Sequence, residues 1–233
     1  MPENVPAVFE TSRLRLRPWR DMDTGADLQL PAGTDRPAMA QEAVEPITLE
    51  GNAVLLREWR HTDAGRVVEA CSDDRTQHWL GGLPSPYTLR DAHAYIAERS
   101  EQASEGKGLY WCVADPGSDV CLGSVAVMGL RGALGTVGEI GYWTHPDARG
   151  RGVMSQAVRL AVRHAFIPRE DGGLGRRRLR LNAAEGNLAS RHIALANGFV
   201  EVGQDRLAEP LGDGTFADLV RFDLLVDEWN AAG

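Results

Sequence analysis

The chain has 233 residues and carries 25 basic against 33 acidic side chains, a formal net charge of −8; this argues against a nucleic-acid partner, because phosphate binding wants a basic face. At 43% hydrophobic and 25% charged residues the composition is that of a globular protein with length for one domain and an appendage. Residues 1–11 lack the basic start and apolar block of a leader, and no run of ~18 apolar residues could cross a bilayer, so the expectation is a cytoplasmic protein with no membrane partner.

In chain order, residues 30–45 carry two prolines and small residues with little periodic pattern, which reads as a linker. On its two sides lies an echo: Leu16-Arg17-Pro18-Trp19-Arg20 with Asp23 and Gly25 resembles Leu56-Arg57-Glu58-Trp59-Arg60 with Asp63 and Gly65. Two copies are too few for a solenoid. The expected organisation is an N-terminal extension over 1–45 and a main domain over 46–233.

Within that domain Val54 to Arg57 reads as a strand, and Thr62 or Asp63 can cap a helix running to about Cys71. Thr88 precedes a helix over Arg90 to Ala103 with an apolar stripe of Ala92, Tyr95, Ile96 and Ala103. Leu109 to Ala114, Cys121 to Leu130 and Glu139 to Thr144 are three apolar segments joined by turn-like stretches, an antiparallel meander. Met154, Ala157, Val158, Ala161 and Ala165 mark one helix face that ends before Pro168. A strand around Leu179 and Leu181, a helix from Asn187 to Gly198, and strands near Phe199 to Gln204 and Asp218 to Leu225 complete an α+β plan. The fold class expected is a mixed, mostly antiparallel sheet of about six or seven strands flanked by helices.

The stretch from Glu139 through Trp143, Thr144, His145, Arg149, Gly150, Arg151, Gly152 and Val153 to Met154 is a strand that turns into an amphipathic helix. Its glycines let backbone N–H groups approach a ligand at the positive end of the helix, the physical recipe for a diphosphate cradle, with Arg149 and Arg151 as fixed charge. A solvated helix start is the blander reading of such a short glycine pattern. A Walker-type loop is excluded because Lys107, the chain's only lysine, has no such frame, and Gly129 to Gly135 lacks the spacing and parallel context of a dinucleotide fingerprint. Lysine-dependent Schiff-base chemistry would rest on Lys107 alone. Cys71, Cys112 and Cys121 have neither disulfide-framework nor zinc spacing, and no metal site is expected.

These residues resemble the GNAT superfamily of N-acetyltransferases, in the branch that acetylates ribosomal-protein N-termini. Its signature of Arg or Gln, two residues, Gly, one residue, then Gly or Ala matches Arg149 to Val153, with Met154 as a bulkier departure at the last place that would narrow the cradle. The run from Asn187 to Phe199 resembles the same branch's later helix. Taken alone, Asn187 reads as a helix N-cap and Ser190 as a first-turn residue. The resemblance covers residues 47–228 and implies an acyl-CoA N-acyltransferase fold, acetyl-CoA or another acyl-CoA as cosubstrate, and direct transfer to a primary amine, on a protein N-terminus or a small molecule.

For the site, the resemblance implies Trp143 to His145 and Arg149 to Met154 as the cofactor-binding run, Asn187 on the pantetheine arm and Ser190 near the thioester sulfur. Many relatives carry a tyrosine acid where this chain has Ala194, so that catalytic role would move to Ser190, to a water or elsewhere. An amine near pKa ~10.4, or an α-amine near ~7.7 to 8.0, must lose a proton before attack. Glu139 is the candidate base, with a solvated strand-end carboxylate as the blander reading; His145 is the alternative base, otherwise a turn residue before Pro146. Main-chain N–H groups near Trp143 would polarise the thioester carbonyl. Trp79, Tyr87 and Trp111 are candidates for the acceptor mouth, although aromatics more often serve as packing. The cluster Arg176, Arg177, Arg178 and Arg180 reads as a solvated strand face, and a homodimer stays open. The rival function class is a CoA-binding sensor without turnover.

Overall fold

The computed structural model describes residues 9–10, 15–16, 47–131 and 135–231. The chain divides into two units, Met1–Ala40 and Gln41–Gly233, each taken by itself. In the first, β1 (Phe9–Glu10) pairs antiparallel with β2 (Arg15–Leu16); the rest of the first copy of the echo and the stretch at 30–45 lie outside the described residues.

The second unit holds β3 (Leu49–Glu50), β4 (Leu55–Arg57), α1 (Ala64–Cys71), α2 (Asp74–Trp79), α3 (Leu89–Ser104), β5 (Gly108–Ala114), β6 (Cys121–Met128) and β7 (Val137–Thr144), then α4 (Val153–Phe166), β8 (Arg178–Ala184), α5 (Leu188–Ala196), β9 (Val200–Pro210), β10 (Phe216–Leu225) and α6 (Val226–Ala231). Eight strands form one sheet in the order β3-β4-β5-β6-β7-β8-β10-β9. The eighth, beyond the seven that alternation marks, is β3, whose two residues are too few to register as a pattern. All neighbours are antiparallel except β7 and β8, which the α4 crossover makes parallel.

Side-chain alternation sends the two halves of each strand to different layers. Leu109, Trp111, Val125, Val127, Ile140, Leu179, Leu181, Phe222 and Leu224 join the buried stripe of α4 and Ala194 of α5 in one core. Trp59, Cys112, Ala114 and Cys121 join Val67 of α1 and Ile96 of α3 in a second core on the opposite side of the sheet. The expected α4 stripe of Met154, Ala157, Val158, Ala161 and Ala165 is buried throughout, with Val162 added. α3 starts with the expected Thr88 cap: the Thr88 N–H donates to Asp91 Oδ2 at 2.8 Å and the Asp91 N–H to Thr88 Oγ1 at 3.4 Å.

Asp63 does not cap α1 with its side chain. Its carboxylate instead takes a bidentate bond from Arg57, Nη1 to Oδ2 and Nη2 to Oδ1 at 2.9 Å each, and accepts from the Arg60 N–H at 2.8 Å. Arg57 Nε also reaches Asp119 Oδ1 at 2.6 Å. Arg57 and Asp63 are both buried and Asp119 is partly exposed, so this network ties β4, the start of α1 and the turn between β5 and β6 around a buried ion pair. An Arg57→Leu variant strands the Asp63 carboxylate and should lose about 3–5 kcal/mol of unfolding free energy in urea; a loss below ~1 kcal/mol would contradict this account.

His164 of α4 is 5% exposed, edge-on to Trp111 with ring centroids 6.1 Å apart. Burial holds its pKa below the ordinary histidine value. The unfolded chain therefore takes up the proton first as pH falls through ~6.5, and stability declines from there until the lower folded-state value is passed. His164→Gln should show a smaller fall in Tm between pH 7 and pH 5 than the unsubstituted protein; equal falls would remove His164 from the acid response.

Candidate active site

β7 and β8 pair only from Val137↔Arg178 to Ile140↔Leu181. Beyond that point β7 stays bound to β6 as far as Gly123↔Thr144, while β8 stays bound to β10 as far as Leu219↔Ala184. Each strand is held by its outer neighbour, and a gap opens between them. The His145 N–H donates to the Leu122 carbonyl at 2.9 Å, so strand alternation directs the main-chain groups of Gly141 and Trp143 to β6 and those of Tyr142 and Thr144 into the gap. Of Trp143, Thr144 and His145, only Thr144 turns its main-chain groups into the gap, together with those of Tyr142.

The gap widens into a cleft of about 600 Å³. One wall is the turn into α4, where Gly150 (φ +71°) and Gly152 (φ +72°) take left-handed conformations that a side chain would strain. Among the described residues, the N–H groups of Gly150, Arg151, Gly152, Val153, Met154 and Ser155 donate to no protein acceptor. Six such donors at the N-terminal end of a 14-residue helix make a strong site for an anion. Met154 does not narrow it: the side chain is buried, and its methyl lies where a Cβ on Gly123 would be only 2.9 Å away. The absence of a side chain at Gly123 makes the room that Met154 needs.

The second wall is α5. Asn187 caps it, accepting the Ser190 N–H on Oδ1 at 3.2 Å. Ser190 faces Tyr142 across the gap: the tyrosine oxygen is 3.0 Å from the Ser190 carbonyl and 3.0 Å from Ser190 Oγ. Burial pushes the Tyr142 hydroxyl up to about 12, so it stays protonated at neutral pH.

The third wall is α2, whose six polar-rich residues carry no apolar stripe and gave no helical signal. Its start is set by Asp73, which accepts the Thr76 N–H at 3.0 Å. Asp73 Oδ2 also takes Arg149 Nη2 at 2.5 Å, with Thr76 Oγ1 2.8 Å from the same nitrogen. The guanidinium holds the Asp73 carboxyl below its usual value. Arg149 is therefore a brace between the α4 turn and α2 as well as a charge on the cleft.

The cleft gathers Trp79, Trp143, Thr144, Arg149, Gly150, Gly152, Val153, Met154, Asn187 and Ser190 from the residues singled out in sequence. Arg151 points out to solvent, its Nη1 3.4 Å from the Asp147 carbonyl. His145 is buried against Arg66, 3.0 Å from its Nδ1, and caps the turn by accepting the Asp147 N–H. Burial lowers its pKa. Glu139 lies outside the lining and pairs loosely with Arg180 of β8 at 3.7 Å. Trp111 is a core residue, 2% exposed, with its indole N–H on the Ile47 carbonyl at 2.6 Å. Tyr87 is buried in the second core and borders a separate cavity with Asp74, His78 and Asp213. Sequence reasoning missed Tyr142, Arg75, Thr76 and His192 in the lining; the Tyr142-Trp143-Thr144 alternation was a usable signal.

Residues 53–200 match the family model described as an acetyltransferase (GNAT) domain. The chain belongs to the GNAT acetyltransferase family. It is 27% identical over 159 residues to YjcK of Bacillus subtilis (strain 168), named a probable N-acetyltransferase, covering 66% of this chain and 84% of that one. To the ribosomal-protein-serine acetyltransferase of Escherichia coli (strain K12) it is 32% identical over 94 residues, 40% of this chain and 49% of that enzyme. The fold matches a structure of the ribosomal α-N-protein acetyltransferase RimL in complex with coenzyme A, with a TM-score of 0.67 at 18% identity, covering 78% of this chain and 99% of that one. This GNAT chain is thus an acetyltransferase with the sheet, the parting strands and the glycine turn on one cleft.

The Asp73 brace is testable in this protein. Asp73→Ala should cost about 1–2 kcal/mol in chemical denaturation through the lost α2 cap. A double-mutant cycle with Arg149→Ala should show a coupling of about 0.5–1 kcal/mol, no more because both side chains are about a quarter exposed; strict additivity would remove the brace.

Proposed function

We propose that this GNAT acetyltransferase moves an acetyl group from acetyl-CoA to the α-amine of a peptide or protein, directly and without an acyl-enzyme. The observation that carries the donor assignment is the row of unpaired N–H groups from Gly150 to Ser155 at the head of α4. They would hold the diphosphate, and the main-chain groups of Tyr142 and Thr144, with Asn187 on the facing wall, would take the amide-rich arm. Acetyl-CoA supplies an activated acyl carbon when bound. Around that carbon, the gap-facing N–H groups of β7 would stabilise oxyanion charge, and Ser190 would donate to the leaving sulfur.

The acceptor assignment rests on charge. Among the described residues, the lining of the cleft holds no carboxylate; its one base-type side chain is His192. A lysine-like amine near pKa ~10.4 needs a strong base to become neutral, whereas an α-amine near ~7.7 to 8.0 is already partly neutral at pH 7. That favours an α-amine, and the E. coli relative is named for a serine of ribosomal proteins. Trp79, against Gly186 and beside the cleft, is the aromatic wall for the acceptor's first residues. In this reading the amine proton leaves to solvent, and Glu139 acts at most through water.

Calorimetry tests the donor: coenzyme A should bind one to one. Pantetheine, without the diphosphate, should bind at least ~100-fold more weakly, since hydrogen bonds to charged groups contribute about 1.5–3 kcal/mol each. Thiol release from acetyl-CoA tests the acceptor. Peptides with a free N-terminal serine or alanine should turn over, ahead of spermidine and of an N-terminally blocked lysine peptide. Tight coenzyme A binding without acceptor-dependent thiol release overturns the transferase reading. Glu139→Gln should lose far less than the ~10²-fold that a direct general base supplies.

A further inference from the structure

Ala194 leaves α5 without the hydroxyl that a tyrosine would place there, and it is fully buried. A different tyrosine stands at the gap. Tyr142 comes from β7, Ser190 from the first turn of α5, and their hydroxyls meet at 3.0 Å where β7 and β8 have parted. Both residues line the cleft. Tyr142 has one hydroxyl hydrogen and two acceptors on the same residue, the Ser190 carbonyl and Oγ. The carbonyl can only accept, while the contact to Oγ runs in either direction, so the tyrosine hydrogen can turn between the two acceptors. When Tyr142 donates to Oγ, the serine hydrogen is free to point into the cleft, and the chain of two hydroxyls polarises it.

We propose that Tyr142 is a positioning and relay residue: it fixes the Ser190 hydroxyl as a donor toward the leaving sulfur and replaces the proton that Ser190 gives up. This rests on the transferase reading above. As the thioester C–S bond breaks and the C–N bond forms, Ser190 gives its proton to the thiolate, and Tyr142 gives its own to Ser190 Oγ. The proton shed by the acceptor nitrogen enters solvent, and solvent returns one to Tyr142, so the count closes. The raised pKa of Tyr142, caused by burial, keeps the phenol charged with its proton between turnovers.

The test compares Tyr142→Phe, Ser190→Ala and the double variant with acetyl-CoA and with the acetyl thioester of a nitro-substituted aryl thiol, whose thiolate leaves without protonation. Both single variants should lower kcat on acetyl-CoA by about tenfold or more with KM for acetyl-CoA unchanged. The double variant should be no worse than Ser190→Ala, and the deficits should vanish on the aryl thioester. A second readout needs no turnover: the ionisation of enzyme-bound coenzyme A, followed by thiolate absorbance against desulfo-coenzyme A. The thiol should ionise at lower pH on the unsubstituted protein than on either variant. Should Tyr142→Phe fail to fold, Ser190→Ala carries both readouts. Full kcat in Tyr142→Phe, equal deficits on both thioesters, or an unshifted thiol would overturn the relay. Coenzyme A binding without any turnover sinks the transferase reading instead, and the thiol ionisation then decides the relay by itself.

Discussion

One parallel pair in an otherwise antiparallel sheet governs this molecule. β7 and β8 share four residue pairs and then separate, because β6 and β10 hold their outer edges to the ends of the strands. Main-chain N–H and C=O groups that a sheet would normally satisfy are left facing a gap. The α4 turn stands beside the same gap because the crossover that makes the pair parallel must begin where β7 ends. The cradle and the strand gap are therefore two results of a single topological choice.

The walls of the cleft are held by interactions that leave no carboxylate among its described lining residues. Asp73 is consumed by Arg149 and by the cap of α2; His145 is turned to the cap of Pro146–Ala148. What remains facing inward is apolar, aromatic, hydroxyl and amide, with His192 and with Arg75 and Arg149 as cations. A site of that character binds an anionic donor well and assists a proton poorly.

Much of the fold was legible because caps and periodicity are local. Thr88, Asn187 and the α4 stripe lie where the sequence puts them, and the turn into α4 was legible because Gly150 and Gly152 flank a single residue at a helix start. α2 was not legible, since a six-residue helix held by its cap and by Arg149 needs no apolar face. Asp63 reads as a cap in one dimension; a buried arginine six residues earlier outcompetes that role in three. Trp111 and Trp79 are indistinguishable as aromatic letters, and only strand parity sends Trp111 into the core while α2 sets Trp79 on the cleft.

The sequence by itself determined most of the elements, the glycine turn at the head of α4 and the family to which they belong, because each is written in residues close together along the chain. Tertiary structure alone decided which backbone groups face the gap, that Glu139 and Trp111 stand outside the cleft, and that Tyr142 meets Ser190. Those outcomes depend on register and on strand divergence between residues 48 positions apart, and no local pattern encodes a distance of that kind.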